Sequence, residues 1–415
     1  MAQLIHRYLT PDSYTVGIIC ALQVELKASI AMLDEVHADP PSASDKNSYR
    51  FGKIAEHNVV IAVLPEIGNN NATTVATQLL NNFPSIRFGL LVGIAGGIPL
   101  EAENDIRLGD VVVSKPTKTS GGVVQYDLGS RTDGRFERTG TLKKPPAVLI
   151  EHLQKLRVQH MTKRNKISEN ILQMLERYPA MKEEQFFYQG AEHDMLYQAR
   201  YYHQGGNNCG RCDRSKVIDR APRETTLPMI HYGNIGSGDL VVKDGVMRES
   251  LKEDLGIICV EMEAAGLMDR FPCLVIRGIC DYADSHKNNR WQPYASATAA
   301  AYAKELMSII PAEEIQATKE ALHTIQTSRY NPIILFGLRR LGLLSLLLGT
   351  YSAPMLSVQS ECEYSPHDRG ALAIGNLLGI LCLVFSICSV VTGWLRWQLQ
   401  RVCTGESVCV CVLPN

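Results

Sequence analysis

The chain has 415 residues with 42 Lys and Arg against 43 Asp and Glu, a formal net charge of −1. That length suits one large domain with an appendage, or two domains. The balanced charge advertises no basic face, so it argues against a nucleic-acid partner. The N-terminal lead, 1–13, lacks the continuous apolar stretch of a secretory signal. Of the 12 cysteines, Cys20, Cys259, Cys273 and Cys280 lie in apolar runs where Cys behaves as a small buried hydrophobe. That usage fits a reducing compartment.

From Tyr14 the pattern alternates strand-like and helix-like segments. TVGIICA reads as a strand and VELKASIAMLDEV as the helix after it. VVIAVLPE is a second strand, NATTVATQLLNNF a helix, and FGLLVGIAG a third strand ending in glycines. DVVVSKP and VVQYDLG add further strands. Such alternation predicts an α/β domain with a mainly parallel sheet between helices.

The stretch from about 141 to 228 breaks this rhythm and reads as an insertion. It opens with KKPPAVLIEHLQKLRVQH, a predicted amphipathic helix, and continues as a polar loop with scattered aromatics. Cys209 and Cys212 form a CxxC there, but a structural zinc needs four ligands, and His193 and His203 lie off the usual finger spacing. A surface insertion without a metal is therefore the expectation, and no cofactor is expected elsewhere.

Beyond the insertion, CLVIRGIC at 273–280 reads as a buried strand with Asp281 at its carboxyl end, where open α/β sheets bind ligands. Glu261 and Glu263, in VEMEAAG at 260–266, open a helix-like stretch just before it. The catalytic domain is expected over 14–312, followed by a polar helical linker over 313–330. The apolar segment 331–350 carries Arg339 and Arg340 at its middle. Each costs roughly 2.5–3.5 kcal/mol at a bilayer centre, which favours an interfacial helix or half of a hairpin. The uncharged run within 370–397 is long enough to span a bilayer and ends in Trp394 and Trp397. The tail, 398–415, carries Cys403, Cys409 and Cys411. A membrane-anchored protein whose catalytic domain faces the cytosol is the resulting expectation.

Six blocks in order carry a resemblance: VGIICALQVEL at 16–26, LLVGIAGGIP at 90–99, DIRLGDVVVS at 105–114, IGSGDLVV at 235–242, VEMEAAG and RGICDYAD at 277–284. Together they resemble the purine and uridine nucleoside phosphorylase superfamily, and within it the methylthioadenosine/adenosylhomocysteine nucleosidases. The likeness runs from about Tyr14 to Pro311, and its insertion and block spacing look like the fungal branch. It implies a three-layer αβα sandwich around a central mixed, mainly parallel twisted sheet. It also implies cleavage of a nucleoside N-glycosidic bond, and a homo-oligomer.

Residue by residue, the resemblance implies that Glu263 grips the ribose hydroxyls, that Met262 packs against the sugar, and that Glu261 frames the pocket or caps a helix. Asp281 matches the acid that protonates the departing base, and needs burial or a neighbouring negative charge to hold its proton. Glu25 falls where hydrolytic members carry the carboxylate that activates water; otherwise it is an exposed acid favoured by a helix dipole. Ile94, Ala95 and Gly96 form the turn that approaches ligand, with Ile94 replacing the Ser or Thr of many relatives. Leu240, Val241 and Val242 match the base-contacting segment, with core packing in a strand as the competing reading.

The missing basic turn after Cys20 tilts the expectation to hydrolysis of a purine nucleoside or 5′-modified adenosine. A phosphorylase using phosphate, with Arg87 or Arg107 as its contact, is the alternative. A membrane-tethered nucleoside sensor with little turnover is a third reading.

Overall fold

A computed structural model of the chain describes residues 9–38, 48–99, 105–117, 119–132, 135–206 and 208–329. The predicted membrane span at 370–397, the apolar segment 331–350 and the tail 398–415 lie outside these residues. Among the described residues no helix is long and apolar enough to cross a membrane.

The strands in chain order are β1 (Val16–Cys20), β2 (Glu35–Val36), β3 (Tyr49–Ile54), β4 (His57–Val63), β5 (Phe88–Gly97), β6 (Val111–Ser114), β7 (Val123–Gln125), β8 (Gly129–Thr132), β9 (Arg135–Arg138), β10 (Ile230–Ser237), β11 (Ile257–Glu261) and β12 (Cys273–Asp281). The helices are α1 (Gln23–Ala31), α2 (Asn69–Asn82), α3 (Ala147–Thr162), α4 (Ile167–Arg177), α5 (Ala180–Glu183), α6 (Gly245–Leu255), α7 (Ala264–Met268), α8 (Gln292–Ser308), α9 (Ala312–Ala317) and α10 (Ala321–Arg329).

The main sheet runs β11-β10-β6-β12-β5-β1-β4-β3-β2, with β7 beside β10 and β8–β9 as a separate hairpin. Pairings around β1, β10 and the β5–β12 contact are parallel, whereas β12–β6 and the β2–β3–β4 edge are antiparallel. The mainly parallel mixed sheet is therefore as expected. One pairing refines the expected sandwich around a twisted sheet. β11 also pairs antiparallel with the end of β5, Cys259 opposite Gly97 and Val260 opposite Gly96, so β11, β10, β6, β12 and β5 close into a ring.

Helices cover both faces. Cys20 bonds Ser29 of α1, while a Cβ at Gly17 would stand 3.0 Å from Leu79 of α2. Residues an odd number apart on a strand point to opposite faces, so α1 and α2 lie on opposite sides. β1, β11 and β12 are buried at every position, which explains their unbroken apolar runs. α8 is also buried nearly all round, which its run of alanines permits. Its backbone lies so close to β12 that a Cβ on Gly278 would stand 1.8 Å from the Ala295 carbonyl oxygen.

The insertion departs from the expected surface loop. α3 is present as expected, but α4 and α5 follow it. Leu149, Leu153, Leu156, Ile171, Met174 and Phe186 join the main core. Its far end is clamped by Asp110, which accepts hydrogen bonds from Arg223 (2.7 Å), His231 (2.9 Å) and the Met229 amide (2.9 Å). The segment read as a polar linker also packs. Ile315 and Ala321 are fully buried, and the Ala321 amide donates to the Ile86 carbonyl at 2.8 Å. The packed unit thus runs past 312, through the start of α10.

Because β12 and α8 touch backbone to backbone, Gly278→Ala is expected to cost roughly 1–3 kcal/mol through overpacking, read as a lower urea midpoint with an unchanged slope.

Candidate active site

Three sheet strands and one helix converge on a single cavity of about 290 Å³. β1 leads into α1, which carries Glu25. β5 ends in the Ile94–Gly97 segment, β11 ends in Glu261, and β12 ends in Asp281. The residues that the resemblance implied for the hydrolytic site all line this cavity: Glu25, Ile94, Ala95, Gly96, Leu240, Val241, Val242, Glu261, Met262, Glu263 and Asp281.

Glu25 is 2% exposed, not the exposed helix acid of the competing reading. One carboxylate oxygen accepts the amides of Ala21 (2.7 Å) and Leu22 (2.9 Å), and the other accepts the Ile94 amide at 2.8 Å. Burial pushes its carboxyl above the usual range, opposed by Arg277 and by those three amides. Ile94 therefore contributes its backbone, and the absent hydroxyl is not needed to hold Glu25.

Behind the cavity lies a residue to which the sequence reading gave no role. Arg277 is fully buried on β12 and is in contact with Glu261, with Glu263 at 2.9 Å and with Glu25 at 3.8 Å. Burial works against its charge, but the three carboxylates outweigh burial and hold it protonated. One guanidinium faces three carboxylates, so full ionisation would leave excess negative charge in a dry site. The proton balance reflects this. Burial pushes Glu263 up to about 7, against the pull of Arg277 and with the repulsion of Glu261 and Glu25. Only glycine fits at position 93, where a Cβ would meet Arg277 Nη1 at 2.3 Å and Glu25 Oε1 at 2.4 Å.

Glu261 accepts the backbone amides of Glu263 (3.1 Å) and Ala264 (3.0 Å), which open α7. It thus both caps that helix and lines the cavity. Asp281 is 4% exposed; its Oδ1 accepts the Ala283 amide at 2.9 Å and its Oδ2 pairs with Lys287 at 2.9 Å. Of the burial or neighbouring negative charge expected around Asp281, burial is present and the charge beside it is the cation of Lys287. Lys287 is held above its usual value: burial lowers it, but Asp281 more than offsets that. Asp284 supports the loop by accepting the His286 amide at 2.9 Å and contacting Arg248 at 3.3 Å.

Leu240 and Val241 are not strand residues. They lie in the loop between β10 and α6 and are exposed by 56% and 39%, whereas Val242 is buried. The packing explanation therefore fails for the first two. Tyr126, also unassigned from sequence, lines the cavity and donates its hydroxyl to the Leu240 carbonyl at 2.7 Å. Arg87 and Arg107, the phosphate contacts of the alternative reading, do not line the cavity. Arg87 pairs with Glu320 at 3.4 Å, and Arg107 bonds Asp105 and the Ala221 carbonyl. At the CxxC, His203 stands against Cys209 and Cys212, while His193 sits beside Glu192.

Residues 15–310 match the Phosphorylase superfamily. The chain belongs to that superfamily. It is 45% identical over 310 residues to a nucleotide-binding leucine-rich repeat (NLR)-like protein of Hyaloscypha variabilis, covering 74% of this chain and 30% of that one. It is 25% identical over 309 residues to the ATP nucleosidase Cap17 of Escherichia coli, covering 72% and 50%. It is 25% identical over 308 residues to the 5′-methylthioadenosine/S-adenosylhomocysteine nucleosidase of Mycobacterium tuberculosis, covering 72% and 97%. The chain thus spans 30% and 50% of the first two relatives. Among solved structures, the Neisseria meningitidis 5′-methylthioadenosine/S-adenosylhomocysteine nucleosidase in complex with methylthio-immucillin-A aligns at a TM-score of 0.46 and 18% identity, covering 71% of this chain and 98% of that one.

Two measurements probe the superfamily site's charge balance. Arg277→Met should cost roughly 3–5 kcal/mol by leaving buried carboxylates uncompensated, with partial recovery when Glu261→Gln and Glu263→Gln are added. Glu263, raised from 4.5 to about 7, keeps a proton in the folded state that the unfolded chain has lost. Its contribution is present below pH 4.5 and is lost as pH rises through about 7. Glu263→Gln should therefore gain about 2–3 kcal/mol relative to the parent between about pH 4.5 and pH 8, read by urea titration at each pH.

Proposed function

We propose that this protein hydrolyses the N-glycosidic bond of a purine nucleoside, or of an adenosine modified at its 5′ end, to free base and sugar. The observation that carries the reading is the saturation of the turn after β1 and of the last part of β5. The amides of Ala21, Leu22 and Ile94 all point at the Glu25 carboxylate. Backbone amides grouped in this way are what would cradle a phosphate. With a carboxylate already there, a phosphate would meet like charge, whereas water would meet a base.

In this reading Glu25 takes a proton from water as the water oxygen bonds to the anomeric carbon. Its raised proton affinity suits that step. The bond from the anomeric carbon to the base breaks, its electron pair leaves on the purine ring, and Asp281 neutralises the departing base with a proton that it relays from the Lys287 ammonium 2.9 Å away. Glu263 accepts hydrogen bonds from the ribose hydroxyls, with Arg277 fixing its orientation from behind at 2.9 Å. The exposed side chains of Leu240 and Val241 meet the base. The names of the relatives set the panel to try first: adenosine, 5′-methylthioadenosine, S-adenosylhomocysteine and ATP.

The deciding experiment is product analysis of the purified protein on this panel with and without phosphate. Free base and free sugar without phosphate are expected, with Asp281→Asn and Glu25→Gln each lowering kcat by at least about 10²-fold. Turnover that requires phosphate, yielding a sugar 1-phosphate, would replace hydrolysis by phosphorolysis. Binding with no turnover would leave a nucleoside-sensing module.

A further inference from the structure

The CxxC is the feature of the chain that the proposed reaction does not use. The fold brings Cys209 and Cys212 together with His203, one ligand atom from each lying within 4.8 Å of the others. His203 Nδ1 stands 3.2 Å from Cys212 Sγ and 3.9 Å from Cys209 Sγ. These are distances that a shared ion would span, with metal–sulfur bonds near 2.3 Å and metal–nitrogen bonds near 2.0 Å. The two cysteines sit at the ends of a tight turn, with the Cys212 amide donating to the Cys209 carbonyl at 3.1 Å, so both thiols reach the same side.

Two independent observations point to a ligand. The first is the tautomer. His203 Nε2 lies 3.1 Å from the Gly206 carbonyl, so it donates its N–H there and leaves a lone pair on Nδ1, facing the sulfurs. A second ring nitrogen tied to a backbone carbonyl is the usual support of a metal-bound histidine. The second is His286. It is only 6% exposed; its Nδ1 stands 3.4 Å from Asp284 Oδ1, and neither ring nitrogen makes a hydrogen bond. Its ring stands edge-on to that of His203, with centroids 5.6 Å apart, and it is held flat against Tyr197 at 3.9 Å. Nδ1 thus faces a carboxylate, the arrangement that supports a metal-bound histidine, while Nε2 is left in a buried site without a hydrogen bond, which is costly unless it has a partner.

We propose that His203, Cys209 and Cys212 hold a divalent ion of the zinc class, with His286 rotating in as the fourth ligand. The donor set is Cys₂His₂, which selects a tetrahedral, redox-inert ion. The site is structural because all four positions are filled by protein. It would pin the 197–217 loop to the segment after β12, where the His203 amide already donates to Ser285 Oγ at 3.0 Å. That segment also carries Lys287, the partner of Asp281.

The test is metal analysis of the full chain produced with zinc in the medium, followed by exchange with cobalt(II). About one zinc per chain is expected, with cobalt giving the strong visible bands of a tetrahedral site and thiolate-to-metal charge transfer. Cys209→Ser and Cys212→Ser should each lose the metal. His203→Cys, a ligand for a ligand, should keep it and strengthen the charge-transfer band, which separates metal loss from misfolding. His286→Gln should weaken zinc binding by at least about tenfold. A folded parent protein with free thiols and no stoichiometric metal, or with a Cys209–Cys212 disulfide, would overturn the proposal. Unchanged zinc affinity in His286→Gln would overturn the assignment of the fourth ligand. None of these readouts depends on glycosidic-bond cleavage.

Discussion

The site depends on one buried guanidinium. Arg277 emerges from the middle of a fully buried strand and meets carboxylates from three other places in the chain: the first turn of α1, the end of β11 and the entry to α7. Without it these carboxylates could not share a dry cavity wall, because mutual repulsion and desolvation would drive them apart or neutralise them. With it they are held together, while burial lifts Glu25 and Glu263 above the usual carboxylate range, helped in Glu263 by Glu261 and Glu25. The guanidinium that joins them also pulls both back toward the ionised form. The lack of a side chain at Gly93 belongs to that contact as much as the charges do, since it leaves the room in which Glu25 and Arg277 approach.

The strand ring adds the geometric half of the arrangement. β5, β11 and β12 deliver the Ile94–Gly97 strand end, Glu261 and Asp281 to one rim, with β5 paired directly to both β11 and β12. The polar groups therefore sit on rigid elements. The apolar contacts at 240–241 sit on a loop, anchored by the Tyr126 hydroxyl. This division lets the 240–241 wall vary with little disturbance to the acids.

Most of this framework was legible in the sequence, for identifiable reasons. Buried strands write continuous apolar runs, so β1, β4, β5 and β12 were plain, and Asp281 at the end of one of them stood out. Arg277 was visible as a lone charge in such a run, and a charge there must have partners, but nothing local says which acids they are. The ring closure pairs residues more than 150 positions apart, which no local pattern encodes. The α9 and α10 segment read as linker because it buries few side chains, chiefly Ile315 and Ala321, among many polar ones. Leu240 and Val241 looked like strand because their composition is that of a strand, yet β10 ends at Ser237 before them. His203 joins Cys209 and Cys212 through a loop whose path, not its spacing, brings them together.

The three amides around Glu25 have a kinetic meaning as well as a structural one. A carboxylate carried three positions into the helix that follows the turn is present at an effective concentration that no free anion in solution can match. It occupies its nest permanently and without a binding step. On the proposed hydrolytic reading, rises and falls in the surrounding level of phosphate or other small anions leave this part of the cavity as it was. An anion site of this kind is insulated from the metabolic state of its surroundings by the chain itself.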